Sequence, residues 1–253
     1  MDLLGKDYMM RSSTLEWSHY QKSPVADVIC QLTFPDILSI AGEAPAAFQG
    51  QVRKDYPLFQ LMQDRRGYTF SNQDRTWQIV LTQNSVAVVT TRYAGWVGFR
   101  KTIVEVSSAF QNVYQPPFFT RIGLRFRSLF RPSQFGVAKP DWKTLINAKV
   151  LGPFSIPEVA GQVQGSRHEV VMTLPTGQDR FRLIHGFVSV MDQESNGKPG
   201  ELSYLVDQDY FSIQQVACSD AAAKLDHFER NAGRFFGLCV LDPLHQALVP
   251  KAA

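Results

Sequence analysis

Trp96, Phe99, Ile103, Val106, Phe110 and Val113 are spaced by three and four residues, so a helix over this stretch carries all six on one side. Gln115-Pro116-Pro117 ends it, because proline has no backbone N–H to give the helix and its ring clashes with the preceding turn. A helix with one apolar side must lay that side on something. What precedes it is a series of strand-like runs, and the expected outcome is a helix on a sheet. The same requirement arises again near the other end. A helix opening at Ser219, a residue suited to the N-cap, carries Leu225, Phe228, Ala232, Phe235 and Cys239 on one side, with Pro243 just beyond.

The runs between these helices can be ordered. Ser23-Pro24 precedes VADVICQLTF (25–34), an apolar and β-branched segment closed by Pro35, which reads as a buried strand. Residues 43–55 read as a helix with Pro45 in its first turn. Strands are then expected at 66–72, 76–82 and 85–93. After the first long helix the order starts again: a strand at 119–130, a short helix at 141–150, a hairpin of 165–174 and 179–191 around Pro175-Thr176-Gly177, and a strand at 201–211. The expected fold is therefore α+β, one structural unit over 1–253, made of two β-α-β-β-β-α halves, 23–117 and 118–245. No Pro/Gly/Ser-rich linker divides them, so they are expected to share one mostly antiparallel sheet with the helices on one face.

Several of these segments, in this order, resemble a known family. VADVICQLTF after Ser-Pro, YAGWVGF at the first long helix, RIGLRFRSLF after the double proline, LSYLVDQDYF, and the ending FERNAGRFFGLCVLDPLHQAL are similar to a sporadically distributed family of uncharacterised bacterial proteins of about this length. The resemblance spans nearly the whole chain, and RIGLRFRSLF is its most specific piece. The chain departs from the family in its first motif, where the family more often shows a second proline and an acidic residue and this chain has Val25 and Asp27. Members occur near mobile or defence genes, which implies an accessory role in an anti-phage or mobile-element setting. The family supplies no catalytic residues to transfer.

The strand at 119–130 carries the sharpest local pattern. Arg121, Arg125, Arg127 and Arg131 fall on one side, with Gly123 and Leu129; Ile122, Leu124, Phe126 and Phe130 fall on the other. Same-side residues of a strand lie about 6.6 Å apart, close to the phosphate repeat of an extended nucleic-acid strand. The four arginines are thus candidate nucleic-acid or anion ligands. The competing reading pairs them across strands with carboxylates such as Glu169, Asp207 or Asp209. That paired reading is preferred here, because only one strand is enriched in arginine and the net charge is only +3. His185, Asp207, Asp209 and Glu169 form a weaker constellation, one that would hold a divalent metal in an unrecognised hydrolase or nuclease.

Other chemistries find no footing. GxSxG, a Walker A lysine loop and GxGxxG are absent, and GQVQG at 161–165 has no helix after it. Cys30, Cys218 and Cys239 are odd in number and form no CxxC pair, so neither a disulfide framework nor a cysteine zinc site is expected. Cys30 and Cys239 read as small buried hydrophobes, and Trp77 and Trp96 as core residues. The first twenty residues lack an apolar h-region and no run is long enough to span a bilayer, so a cytoplasmic location is expected. The expected function is non-enzymatic binding of another protein, with no cofactor and no metal. The first alternative is nucleic-acid binding through the arginine strand. The sequence sets no oligomeric state.

Overall fold

The computed structural model describes residues 20–63, 67–136, 140–191 and 200–249. The chain is an α+β protein built on one nine-stranded antiparallel sheet. Its strands are β1 (Val25–Thr33), β2 (Leu58–Leu61), β3 (Gly67–Ser71), β4 (Trp77–Thr82), β5 (Ser85–Thr90), β6 (Arg121–Phe130), β7 (His168–Thr173), β8 (Asp179–Val190) and β9 (Glu201–Ser212). The spatial order is β2-β3-β4-β5-β1-β6-β9-β8-β7. Outward from the central β1–β6 pair, each side places next the last strand before its own long helix, then runs back through that side's hairpins. The sheet is continuous across the two expected halves. Leu58–Leu61 adds an edge strand to the first half, where the sequence reading assigns nothing.

Both long helices lie on the same face. They are α3 (Trp96–Tyr114) and α7 (Ala221–Cys239), and the strands meet them with their alternate apolar residues. Phe99 of α3 packs on Trp77 and Tyr93, and Tyr93 in turn meets Phe126 of β6. On the other side, Phe228 of α7 meets Tyr210 and Phe236 meets Phe130. The two helices are tied together at one end. Trp96 Nε1 donates to Asp226 at 2.9 Å, and Arg100 donates to the same carboxylate at 2.7 and 3.0 Å. These hydrogen bonds hold the Asp226 carboxyl below its ordinary range although burial opposes its charge. Cys30 and Cys239 are buried in the core, where burial pushes both thiols well up.

The departures from expectation are local. The helix expected over 43–55 is present but shorter. A turn of helix, α1 (Leu38–Gly42), is followed by α2 (Ala46–Val52), with Pro45 as the N-cap rather than inside the first turn. Residues 141–150 divide into α4 (Trp142–Leu145) and α5 (Ala148–Leu151). The break is at Asn147, whose side chain accepts from Lys149 N and donates to the Leu238 carbonyl, while its own N–H goes to Cys239. Asparagine offers the backbone these alternatives to helix. A further turn, α6 (Pro157–Ala160), precedes β7.

β7 begins at His168 rather than at 165, because Ser166 crosses over Gly186 instead of pairing as a strand. Gly186 has φ 144°, and a Cβ there would lie 2.3 Å from the Ser166 carbonyl oxygen, so only glycine fits. Helix α7 starts at Ala221, after a 3-10 turn at Cys218–Asp220, and Ser219 donates to Asp220 instead of capping. Phe236, not Phe235, is its fully buried residue in that turn; Phe235 is half-buried against Phe181. A final helix, α8 (Asp242–Ala247), closes the described chain. No helix among the described residues is long and apolar enough to cross a membrane.

Candidate functional site

The register puts the charged residues on the face that carries no long helix. Across β1 and β6, Asp27 stands opposite Arg127, Ile29 opposite Arg125, Gln31 opposite Gly123 and Thr33 opposite Arg121. Across β6 and β9, Arg127 stands opposite Asp207 and Arg125 opposite Asp209. Arg182 of β8 lies opposite Asp209 in turn. Alternation sends Leu124, Phe126, Val206 and Tyr210 to the helix face, so the open face receives a band of arginines and aspartates across four strands.

Each arginine of the expected stripe meets a carboxylate. Arg125 donates through Nε at 2.7 Å and through Nη2 to Asp207, a two-point guanidinium–carboxylate pair. Arg127 does the same with Asp27, its Nε lying 2.8 and 2.9 Å from the two oxygens and its Nη2 adding a third contact. Hydrogen bonding to these aspartates raises both guanidinium pKa values. At the end of β6, Arg131 Nε donates to Glu201 at 3.0 Å, and Glu201 also accepts from the Ser133 N–H and hydroxyl. Burial disfavours the charge on Glu201, but those donors outweigh it and hold its carboxyl low.

Arg121 is arranged differently. Its guanidinium lies back along the strand over Gly123, where a Cβ would be 2.5 Å from Nη1. From there Arg121 reaches Gln31 at 3.3 Å and Asp209 at 3.3 and 3.5 Å, and sits 4.6 Å from the centre of the Phe211 ring. Arg182 approaches the same Asp209 at 3.4 Å from the opposite side. Burial lifts the Asp209 carboxyl above its ordinary range, with Arg121 and Arg182 pulling against it.

No protein-family model and no curated protein matches the chain. The reading of this site therefore rests on its geometry.

The structure brings together Arg121, Arg125, Arg127 and Arg131 with Asp207 and Asp209, as the sequence places them. It does not gather the His185 constellation. His185 stands opposite Val206, whereas Asp207 stands opposite Ile184, so the imidazole is on the helix face and the carboxylates are on the open one. There His185 Nδ1 is 2.8 Å from the Tyr204 hydroxyl, and its ring stacks on His168 at 5.2 Å. Glu169 remains on the open face, near Arg167 and Arg182. Among the described residues no three His, Cys, Asp or Glu side chains group to hold a metal ion. His227 is half-buried and bonded to Asn231. Trp77 and Trp96 pack beside Phe99, and Trp142 is buried; Trp17 and His19 lie outside the described residues.

Three charged participants escape sequence reasoning: Asp27, Glu201 and Arg182. A signal for the first exists, since a lone acid inside VADVICQLTF needs a partner if the strand is buried. A signal for the third also exists, because DRFRLIHGF repeats the arginine–apolar alternation of RIGLRFRSLF.

Proposed function

We propose that this chain is a non-enzymatic binding protein that recognises another protein through the helix-free face of its sheet, as an accessory component in a bacterial anti-phage or mobile-element setting. The setting rests on the family resemblance alone. The observation that supports the protein-binding reading is the cancellation of charge on that face: Arg125, Arg127 and Arg131 each hold a carboxylate of their own. A surface that tracks phosphates draws its affinity from arginines free to replace counterions. A surface of alternating, mutually paired charges suits a partner of mixed sign, with complementary positions doing the selecting. The like order of strands on either side of β1–β6 belongs to the same reading, as an internally duplicated chain that offers one extended surface.

The test is affinity capture from the native host, with and without nuclease, using three versions of the chain. These are the wild type, a Gln78→Glu, Thr69→Glu double variant on the open face, and Lys101→Glu on the exposed side of α3. A partner that survives nuclease, is kept by the Lys101 variant and is lost by the open-face variant supports the reading. Loss of all partners on nuclease treatment would sink it. It would instead favour nucleic-acid binding through Arg121, Arg125, Arg127 and Arg131. In that case binding should weaken with salt by about 0.7 to 0.9 logarithmic units per logarithmic unit for each phosphate contacted.

A further inference from the structure

Around Asp209 the charge of the open face is not cancelled. Arg125, Arg127 and Arg131 each reach a carboxylate through Nε at 3.0 Å or less. Arg121 and Arg182 share the single carboxylate of Asp209, and both reach it only through Nη2, at 3.3 to 3.5 Å. The next acid, Glu169, is 4.0 Å from Arg182 Nη1, too far for a hydrogen bond. Arg182 Nε is buried and has no hydrogen-bond partner. With Glu169 shared between Arg182 and the closer Arg167, three guanidiniums face two carboxylates, which leaves one positive charge in excess, with donors unspent.

The same residues surround a depression of about 250 Å³, lined by Ile29, Gln31, Arg121, Gly123, Arg125, Arg182 and Asp209. Gly123 admits the Arg121 guanidinium to its floor, in the room a side chain there would take. Sites for whole small molecules are usually ~300–1,000 Å³. This depression is smaller, so it suits one charged group at the end of a stem whose remainder lies outside. Gln31, Arg121 and Arg182 offer N–H donors from three strands, in the forked arrangement that planar and tetrahedral oxyanions accept from. Burial of Asp209 against incomplete pairing fits a site where a second acceptor is still wanted.

We propose that this depression binds a single oxyanion, a carboxylate or phosphate group, between Arg121 and Arg182. The proposal goes beyond the protein-partner reading and does not depend on it: no partner is needed to test it, and failure of either leaves the other standing.

Inorganic phosphate and acetate are titrated separately into the full chain at constant ionic strength, with chloride as the balancing salt, and binding is followed by calorimetry and thermal shift. Saturable binding of either probe that chloride does not reproduce is the expected result; the probe that binds identifies the source chemistry. Arg182→Gln and Arg121→Gln should each weaken it at least about tenfold, and Asp209→Asn, which removes the competing negative charge, should tighten it about tenfold. Equal effects of chloride and both probes would overturn the proposal. So would binding retained in both arginine variants. If the arginine variants do not fold, Asp209→Asn decides: unchanged or weaker binding in that variant overturns the proposal.

Discussion

Arg125 and Asp207 offer the sharpest test of the claim that the open face is built from pairs. Their side chains are unequally buried: 31% of Arg125 is exposed, but only 5% of Asp207. Removing one partner of a buried pair strands the other charge, at about 3–5 kcal/mol when the stranded group has no route to water. Arg125→Ala leaves a carboxylate almost wholly enclosed, so the loss should fall at the low end of that range, about 3 kcal/mol. Asp207→Ala leaves a guanidinium on a long stem that already touches solvent and turns outward, so about 1–2 kcal/mol is expected. The double variant strands nothing and should lose only about 2 kcal/mol, a coupling of roughly 2–3 kcal/mol, within the span found for directly bonded residues. Urea unfolding followed by tryptophan fluorescence measures all three. The Arg125 variant should also melt about 6–12 °C lower, given about 2–4 °C per kcal/mol for a chain of this size. Equal and additive losses in the two single variants, with coupling below about 0.5 kcal/mol, would refute the reasoning. Arg125 would then be a guanidinium free for a ligand.

Truncating Phe228 or Phe99, both essentially buried at the centre of their helix faces, should cost about 3–5 kcal/mol each by urea unfolding, and near-wild-type stability would mean these faces do not sit on the sheet. Burial, with His168 adding to it, lowers the pKa of His185 from 6.5. As pH falls below about 6.5 the unfolded chain takes this proton before the folded one, so the stability that His185 contributes above that pH is progressively lost. Wild type should therefore lose more stability between pH 7.5 and pH 5.5 than His185→Gln, and parallel curves would refute that. Because β1 pairs with β6 across the middle of the sheet, chains cut after residue 117 and expressed separately should each fail to fold cooperatively, and two stably folded halves would overturn the one-sheet account.

The parts of this fold that were legible in the sequence are those whose periodicity is enforced by burial on one side only. The helix at Trp96–Tyr114 and the strand at Arg121–Phe130 are read correctly because each alternation has one consistent apolar face. Residues 141–150 are misread because their break comes from a single polar residue, whereas the helix expected over 43–55 is present but shortened to Ala46–Val52 behind Pro45. Asn147 bonds to the end of a helix about ninety residues away, and no local window contains that partner. Leu58–Leu61 is missed for another reason: it is exposed throughout its length, so burial imposes no alternation on it. The candidate site shows the same division. That arginines share a face follows from parity. That Arg127 belongs to Asp27, and not to an acid of β9, depends on how β1 and β6 are aligned, and that alignment joins residues 100 apart.

The pairing also bears on how a partner would be found and kept. With a net charge of +3 over 253 residues and most of its open-face arginines matched in place, the surface exerts little attraction beyond a screening length of about 8–10 Å. Long-range steering is thus weak, and what discriminates partners must act at contact. A partner that presents charges out of step with the rows of β1, β6 and β9 would break existing pairs and leave enclosed carboxylates such as Asp27 and Asp207 without donors. On the proposed reading that penalty would fall on wrong partners alone, so the paired rows would reject as well as select. The depression beside Asp209 is the complement to this: a position on these strands where an added negative group relieves an imbalance instead of creating one. A partner bearing an oxyanion there would fix its register against every other row. The prediction that Asp209→Asn tightens oxyanion binding while Arg125→Ala chiefly loosens the fold separates these two kinds of residue on a single surface.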